Sequence, residues 1–243
     1  MTDYRTRIYS RYASAIQNTG DTFDTVAAAR WGLAFEYYLR GWLPEERDAA
    51  ILDVACGDGK FLHFLKERGF TNLSGVDICP EQVRLASQVV PDVTEDSAID
   101  FLEEQSRSFD LITGLDIIEH LKKDDIFRFL EGCFAALKPG GQLVLQTPNA
   151  DSPWSSCVRY GDFTHEVCFN SRSLSSLMRM CGFGGIEIRE QGPPPWGYSV
   201  GSSARYVVWR LIRLGIKFWN VAETGSAGNG VFTRVFMIKG ERL

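Results

Sequence analysis

The stretch ILDVACGDGKFL, residues 51–62, decides the fold because a buried strand runs directly into a glycine-rich turn and then into a helix. Its first six residues are apolar apart from Asp53, as expected of a strand that is covered on both faces. Gly57 and Gly59 follow, and glycine allows both a tight turn and the close approach of a ligand to the backbone. The stretch therefore predicts a strand, a ligand-binding turn and a helix in direct succession.

Strand and helix patterns alternate from residue 50 to residue 191. Apolar runs or period-two alternation predict strands over 51–56, 73–78, 109–115, 141–147, 185–191 and 231–240, with a weaker candidate around Val93. Helical spacing predicts helices over 60–69, 80–90, 124–137 and 171–183. Such a series builds a parallel sheet with helices on both faces, and the two consecutive strands at its end allow one antiparallel partner. We therefore predict a doubly wound α/β domain over residues 47–243, with a helical extension over residues 1–46.

The composition is that of a folded globular protein without a basic surface. Of the 243 residues, 44% are hydrophobic and 23% are charged. The formal net charge is −5 and the pI is about 5.3. A broadly basic surface for binding phosphate backbones is therefore missing, and we expect no nucleic-acid partner.

The cysteines and the N-terminus indicate a location. The six cysteines are scattered without a Cys-x-x-Cys pair, which argues against a zinc site or a disulfide scaffold and favours a reducing compartment. The N-terminus is polar and charged, unlike a signal peptide. No stretch approaches the roughly 18 uncharged apolar residues that a membrane span needs. These features predict a cytoplasmic protein.

Acidic residues surround the glycine-rich turn. Asp53 and Asp58 suit a cationic ligand better than a pyrophosphate, and Leu62 stands where a dinucleotide-binding loop would place its third glycine. Asp77 ends the next strand, where a carboxylate accepts hydrogen bonds from ribose hydroxyls in sheets of this type. The combination predicts that this turn binds a nucleoside-bearing cofactor rather than being a surface turn without a ligand. The absence of the third glycine at Leu62 weakens the alternative of a nicotinamide-dependent oxidoreductase.

Four blocks of the chain resemble the class I S-adenosylmethionine-dependent methyltransferases. The blocks are ILDVACGDGKFL, GVDICPEQVRLA, FDLITGLDIIEHL and LKPGGQLVLQTPN, and they occur in the order and at the spacing of that family. The resemblance covers roughly residues 50–191. It implies a seven-stranded, mostly parallel Rossmann-like sheet whose last strand is antiparallel, and S-adenosylmethionine as the cofactor.

The resemblance also implies a cofactor site. Its members would be Asp53, Ala55, Cys56, Gly57, Gly59, Asp77, Ile78, Asp96, Ser97, Ala98, Leu115 and Asp116. Gly57 and Gly59 would line the methionine part, and Asp53 would act on its amino group directly or through water. Asp77 would hold the ribose hydroxyls, and Ile78 would pack on the adenine.

Other members of this set depart from the family pattern or invite a second interpretation. The family often has Gly-Asp where this chain has Asp96, Ser97 and Ala98, so the contact to the adenine amino group stays open. Leu115 and Asp116 would face the methyl-bearing sulfonium. Cys56 has no histidine close in sequence, which favours packing over nucleophilic catalysis.

Two of the three histidines are candidates for a general base, because a hydroxyl acceptor must lose its proton during methyl transfer. His165 lies in the polar loop GDFTHEVCF, residues 161–169, and is the preferred base. His120 follows the fourth strand within Asp-x-x-Glu-His and is the second candidate. His63 lies inside a predicted helix and has a structural role. We expect the tyrosines of the N-terminal extension to cover the acceptor, and they are Tyr4, Tyr9 and Tyr12.

The Asp-x-x-Glu-His group raises the question of a metal. In the ubiquinone-biosynthesis O-methyltransferases, which this part of the chain resembles, such a group is associated with a divalent metal. Asp116, Glu119 and His120 could together offer a site for a hard cation. Many relatives share the pattern without using a metal, so we expect no resident metal ion.

A basic and apolar segment stands between the last two strands. RYVVWRLIRLGIKFWNV, residues 205–221, has four basic residues and no acid, and it lies inside an insertion over 192–229. Arg210, Arg213 and Lys217 are spaced to form one stripe of a helix. The segment is interpreted either as a lid or a homodimer contact, or as a helix resting on anionic lipid at the inner membrane face.

The sequence thus predicts an S-adenosylmethionine-dependent methyltransferase that methylates an oxygen atom of a small molecule, such as a sugar or glycolipid or a quinone-like phenol. The fourth strand lacks the Asn-Pro-Pro-Tyr pattern, which disfavours methylation of an exocyclic amine of a nucleic-acid base. The alternatives are a binding protein of this fold that has lost catalysis and, less favoured, a nicotinamide-dependent oxidoreductase.

Overall fold

A computed structural model describes residues 4–9, 11–12, 20–195 and 198–243, within which the chain forms one seven-stranded sheet covered by helices. The strands are β1 (Ile51–Val54), β2 (Leu73–Asp77), β3 (Val93–Glu95), β4 (Phe109–Leu115), β5 (Leu137–Pro148), β6 (Phe183–Glu190) and β7 (Val235–Arg242). The helices before β4 are α1 (Tyr4–Tyr9), α2 (Thr25–Tyr38), α3 (Lys60–Glu67), α4 (Pro80–Ala86) and α5 (Ala98–Glu103). A 3₁₀ turn (Ile118–His120) follows β4, and the later helices are α6 (Lys123–Ala136), α7 (Ser155–Arg159), α8 (Ser171–Met180) and α9 (Val200–Thr224).

The strand order confirms the predicted doubly wound fold. The sheet runs β3-β2-β1-β4-β5-β7-β6, with parallel pairing from β3 to β5 and β7 antiparallel to both of its neighbours. The direction of winding reverses between β1 and β4. In open α/β sheets, ligands bind in the crevice at this reversal, outside the carboxyl ends of the strands.

Two apolar clusters fill the two faces of the sheet, as the continuous hydrophobic runs of its central strands require. Phe129 of α6 and Phe236 of β7 are fully buried on one face. On the other face, Phe35 of α2 and the following Trp42 pack in the same cluster as Leu62 of α3. The second half of the expected N-terminal extension is therefore part of the core of the α/β domain.

The structure differs from the sequence prediction at the ends of several elements. β5 begins at Leu137 rather than at residue 141, and the pairing of β4 with β5 shifts register between Phe109 and Leu111. The Pro-Gly-Gly sequence therefore lies within an irregular part of β5. β7 begins at Val235, four residues later than predicted, and the short helices α5 and α7 were not predicted.

Candidate active site

A cavity of about 1220 Å³ opens at the carboxyl ends of β1, β2 and β4. It is lined by ten of the twelve residues expected to bind the cofactor, namely Asp53, Ala55, Cys56, Gly57, Asp77, Ile78, Ser97, Ala98, Leu115 and Asp116. His120 and His165 line the same cavity. Its volume exceeds the 300–1,000 Å³ usual for a pocket that holds one small ligand.

Asp77 braces the glycine-rich turn. Its Oδ2 accepts a hydrogen bond from the backbone N–H of Gly57 at 2.9 Å, and its Oδ1 accepts one from Cys79 at 2.8 Å. Burial raises the pKa of Asp77, although these backbone hydrogen bonds favour the ionised form. The backbone N–H of Ile78 also favours the ionised form of Asp77. A carboxylate has about four lone-pair sites, so Asp77 can accept a further hydrogen bond from a ligand in the cavity.

Two lining residues that are not glycine have left-handed backbone conformations. Ala55 follows β1 with φ 54°, and Asp116 follows the neighbouring β4 with φ 57°. Such a conformation costs about 1–2 kcal/mol for a residue with a Cβ atom. Backbone strain of this kind concentrates at functional sites, and here it marks the ends of the two strands that flank the reversal.

Gly59 and Asp96 do not line the cavity. A Cβ atom on Gly59, whose φ is +88°, would lie 2.9 Å from the Cα of Ala86. This glycine therefore allows α3 to approach α4 closely, a packing role that the motif alone does not reveal. The carboxylate of Asp96 accepts a hydrogen bond from the backbone N–H of Ser97 at 2.7 Å.

Asp53 is the most deeply buried acid of the turn. Its Oδ1 accepts a hydrogen bond from Thr113 Oγ1 at 2.6 Å, and burial raises its pKa to about 7. Burial also raises the pKa of the Cys56 thiol well above its usual range. The thiol is therefore neutral at pH 7, which agrees with a packing role for Cys56 rather than a nucleophilic one.

Aromatic side chains from two helices form a wall of the cavity that was not predicted from sequence. Trp31 of α2 and Phe61 of α3 both line the cavity, and their rings meet edge to face at 6.5 Å. Trp31 also stacks on Phe35 at 4.2 Å between ring centroids. Trp31 is far from the motif blocks in sequence, so only the packing of α2 on α3 places it here.

The two candidate bases meet in the other half of the cavity. The rings of His120 and His165 lie edge to face with their centroids 4.7 Å apart. Burial lowers the pKa of His120 to about 4, and the neighbouring His165 contributes to the shift. Burial lowers the pKa of His165 as well. Both imidazoles are therefore neutral at pH 7, and each has one unprotonated ring nitrogen, although the lowered pKa makes them weaker bases than a free imidazole. His63 packs on Phe23 instead, with ring centroids 5.4 Å apart.

A chain of hydrogen bonds orients His120. Thr164 Oγ1 donates to Asp162 Oδ1 at 2.6 Å and lies 2.8 Å from His120 Nδ1. Because the single hydroxyl proton of Thr164 points to the carboxylate, we assign the proton between Thr164 and His120 to Nδ1. Nε2 of His120 then carries the free lone pair. Burial opposes ionisation of Asp162, but the hydrogen bonds from Thr164 and Tyr12 lower its pKa overall.

The described part of the N-terminus contacts this half of the cavity. The hydroxyl of Tyr12 donates to Asp162 Oδ2 at 2.6 Å, and Arg5 Nη2 donates to the backbone carbonyl of His120 at 2.8 Å. Tyr4 donates to the carboxylate of Glu166. Arg5, Tyr9 and Tyr12 line the cavity, whereas Tyr4 lies beside it. The segment is held over the cavity mainly by polar contacts.

A donor set beside the histidines fits a divalent cation. Glu119, His120 and His165 each offer one ligand atom, and these atoms lie within 4.8 Å of one another. Within the described part of the chain, Glu119 Oε1 and His165 Nδ1 are buried atoms without a hydrogen-bond partner. His165 takes the place that the sequence assigned to Asp116, whose Oδ2 accepts a hydrogen bond from Gln146 at 2.6 Å. Two imidazoles and a carboxylate suit several divalent metals.

The fold and the cavity define the class of protein: an α/β protein with a crevice at the reversal of its sheet, where ligands bind in sheets of this type, and with two histidines lining that crevice. A family model described as "Methyltransferase domain" matches residues 26–188, which is more than half of the chain. The chain belongs to the class I S-adenosylmethionine-dependent methyltransferases.

Individual relatives agree with this assignment. The chain is 34% identical over 111 residues to the ubiquinone biosynthesis O-methyltransferase of Xanthomonas axonopodis pv. citri, a match that covers 43% of this chain and 45% of that protein. The chain thus spans less than half the length of the curated relatives it matches.

Solved structures share the fold at low identity. A methyltransferase from Archaeoglobus fulgidus superposes with a TM-score of 0.64 at 22% identity, covering 89% of this chain and 93% of that one. Phosphoethanolamine N-methyltransferase 2 of Haemonchus contortus, solved with S-adenosyl-L-methionine, has a TM-score of 0.64 at 16% identity, covering 96% of this chain and 60% of that one. At such identities these structures establish a common fold and carry no information about the acceptor.

Proposed function

We propose that this methyltransferase transfers a methyl group to a hydroxyl oxygen of a small molecule. The observation that carries the proposal is the pair of neutral histidines, His120 and His165, in the same cavity as the expected cofactor residues. A hydroxyl group needs a base because its oxygen becomes a good nucleophile only as the proton leaves. The name of the Xanthomonas relative, an O-methyltransferase of ubiquinone biosynthesis, supports an oxygen acceptor.

The cofactor half of the cavity suits S-adenosylmethionine, which supplies an electrophilic methyl group on a sulfonium. In the proposed arrangement, Asp77 would accept hydrogen bonds from the ribose hydroxyls, and Ile78, which is 53% exposed, would pack on the adenine. Asp53 attracts the amino group of the methionine part. Leu115 and Asp116 would lie beside the sulfonium, and the two histidines line the same cavity.

The chain contributes alignment and a proton acceptor to the reaction. Nε2 of His120 takes the proton of the acceptor hydroxyl while an oxygen lone pair forms the new bond to the methyl carbon. When bound, S-adenosylmethionine would supply the methyl carbon, and its sulfur would keep the electron pair of the carbon–sulfur bond that breaks. Holding the donor and acceptor in line accounts for a large part of the rate enhancement in such displacements.

The hydrogen bonds favour His120 as the base, with His165 beside it as the second candidate. Asp162 and Thr164 fix the His120 ring and its tautomer, as a third group orients the base in hydrolytic triads. Tyr9 and Tyr12 form part of the wall over the histidines, and we propose that residues 4–12 cover the acceptor. An aromatic wall fits the flat ring of a phenol or the apolar face of a sugar.

Glutamine substitutions of the histidines test the proposal. We expect His120→Gln to lower kcat by roughly 10²- to 10⁴-fold in an acceptor screen over phenols and sugars, because a base is lost. The affinity for S-adenosylhomocysteine, measured by calorimetry, should stay within about twofold since the substitution lies outside the cofactor half. A larger loss with His165→Gln than with His120→Gln would reverse the assignment of the base. Equal losses of turnover and cofactor affinity would show a structural role for both histidines.

A matched control and a positioning variant sharpen this test. His63→Gln changes the histidine outside the cavity and should leave turnover and cofactor affinity unchanged. Thr164→Val removes the group that orients His120 and should lower kcat by roughly tenfold without changing KM. Thr164→Ser keeps the hydroxyl and should restore activity. Failure of serine to restore it would show that Thr164 acts through packing of its methyl group.

A further inference from the structure

Helix α9 stands out because almost all of its length is exposed. It has 25 residues, Val200–Thr224, and its N-cap is Ser199, whose Oγ accepts a hydrogen bond from the backbone N–H of Ser202 at 3.0 Å. Its C-cap is Gly225, in the left-handed conformation. Ser202 is its one fully buried residue. A helix this long usually buries a full apolar stripe against its own domain, and α9 does not.

The face of α9 toward the protein is narrow and mixes polar with apolar side chains. Its residues recur every three or four positions and are Ser202, Tyr206, Trp209, Arg213, Ile216 and Asn220. The Nε of Arg213 lies 2.9 Å from a carboxylate oxygen of Glu190, and its Nη2 donates to the carbonyl of Gly230 at 2.9 Å. Arg213 therefore lies on the face toward the protein and does not join Arg210 and Lys217 in the one basic stripe that the sequence predicted. Its ion pair with Glu190 of β6 connects the helix to the sheet.

The outward face of α9 is broad, apolar and uncharged. It consists of Val200, Val207, Val208, Leu211, Leu214, Phe218, Trp219 and Val221, all exposed. At 100° per residue these side chains share one side of the helix. Phe218 is 76% exposed, Trp219 is 71% exposed and Leu211 is 64% exposed. Contiguous apolar surface of this kind on a folded protein marks an interaction site.

Basic residues border this apolar face on both sides. By the same helical geometry, Arg205 lies on one border, and Arg210 and Lys217 lie on the other. The single acid of the helix, Glu223, accepts a hydrogen bond from Trp219 Nε1 at 2.8 Å. The chain as a whole carries a net charge of −5, so the positive charge is local to this helix.

We propose that α9 lies in the plane of an anionic phospholipid surface, with Phe218, Trp219 and Leu211 inserted between the lipids and the border cations on the phosphates. Apolar side chains flanked by arginine and lysine suit the boundary between acyl chains and headgroups. No described helix is long and apolar enough to cross a bilayer, so contact within the plane is the geometry that fits.

Charge favours lipid over a second copy of the chain as the occupant of this face. If two copies paired along their apolar faces, the border with Arg210 and Lys217 would meet an equally basic border of the other copy. Positive charges that face each other across such an interface repel, whereas anionic lipid headgroups attract both basic borders of α9.

The test is flotation of the full chain with vesicles of phosphatidylcholine, with and without phosphatidylglycerol. We expect binding that requires phosphatidylglycerol and weakens with salt. Combined Arg205→Gln, Arg210→Gln and Lys217→Gln should weaken binding by about fivefold per residue, or on the order of a hundredfold in total. Combined Leu211→Gln, Phe218→Gln and Trp219→Gln should reduce binding to background.

Controls separate lipid contact from misfolding and from self-association. Met180→Gln changes a side chain on α8 that is 72% exposed, and it should leave vesicle binding unchanged. The α9 variants alter side chains that are exposed or, at Lys217, half-buried, and they should keep the melting temperature of the parent chain. The proposal is overturned if the parent chain does not float with phosphatidylglycerol, or if the α9 variants float equally well.

Sedimentation velocity tests for self-association. If the parent chain is a dimer, the apolar variant is a monomer, and neither binds vesicles, the face would belong to a second copy of the chain. Because the readout is binding, it is independent of the methyl acceptor.

Discussion

Replacing Asp53 by asparagine separates its charge from its shape. The carboxyl group is buried, accepts one hydrogen bond from Thr113 Oγ1 at 2.6 Å, and has its pKa raised to about 7. Asparagine has almost the same volume, and its carbonyl oxygen can accept the same hydrogen bond. The variant therefore removes the negative charge that we propose attracts the amino group of the cofactor.

The raised pKa gives the effect a size and a pH dependence. With a pKa of about 7, the Asp53 carboxyl is about 3% ionised near pH 5.5 and about 50% ionised near pH 7. A ligand that requires the carboxylate therefore binds about 15-fold more tightly near pH 7. The α-amino group of the ligand stays protonated over this range because its pKa lies near 8.

Calorimetric titration with S-adenosylhomocysteine at several pH values is the assay. At neutral pH we expect Asp53→Asn to weaken binding by roughly 10- to 100-fold, the worth of a hydrogen bond to a charged group. The steep rise of affinity between about pH 5.5 and about pH 7 should flatten in the variant. Unchanged affinity together with an unchanged pH dependence would refute the proposed role of Asp53.

The same pKa shift makes a prediction for stability, with the opposite dependence on pH. The folded chain holds the Asp53 proton more tightly than the unfolded chain, whose carboxyl has a pKa near 3.8. The contribution of Asp53 to the free energy of unfolding therefore decreases as the pH rises from about 4 to about 7. Asp53→Asn should abolish this part of the pH dependence in urea unfolding. A parallel decrease in the variant would contradict the assignment.

Two further predictions concern packing and metal dependence. Gly59→Ala should lower the free energy of unfolding by about 2–4 kcal/mol, because residue 59 has a positive φ and the new Cβ would meet the backbone of Ala86. Gly69 also has a positive φ but has open space around it, so Gly69→Ala should lower the free energy of unfolding by about 1 kcal/mol. Equal losses for the two variants in urea unfolding would contradict the clash at residue 59. If His120 acts as the base without a metal, dialysis against EDTA should leave turnover unchanged. If turnover is lost and added Mn²⁺ or Zn²⁺ restores it, the result would instead place an ion on Glu119, His120 and His165. Such an ion would lower the pKa of the acceptor hydroxyl bound to it.

The central strands could be predicted because their signal is local. β4 spans Phe109–Leu115 as predicted, since a largely buried strand between polar flanks leaves a mainly apolar run. The ends of the sheet were less predictable. β5 continues through Pro139 because an irregular register accommodates the Pro-Gly-Gly sequence, and a sequence pattern carries no information on that register.

In the candidate site, too, the residues of a local motif could be predicted, whereas contacts between distant parts of the chain could not. The lining role of Asp53, Gly57 and Asp77 follows from a strand and a turn that are contiguous in sequence. The contact of Thr164 with His120 joins residues 44 positions apart, and that of Tyr12 with Asp162 joins residues 150 positions apart. Short polar side chains in loops are common, so only the folded chain distinguishes these pairs from the many that do not meet.

The position of β7 between β5 and β6 determines how the sheet is completed during synthesis. β6 leaves the ribosome before β7, yet β7 is its strand neighbour in the described sheet. Until β7 is made, the edge of β5 exposes unpaired backbone groups, and α9 with its apolar outer face emerges in the same interval. The nascent chain therefore passes through a stage in which the unpaired edge of β5 and the apolar face of α9 are exposed together. This is the stage at which chaperone binding or aggregation competes with folding.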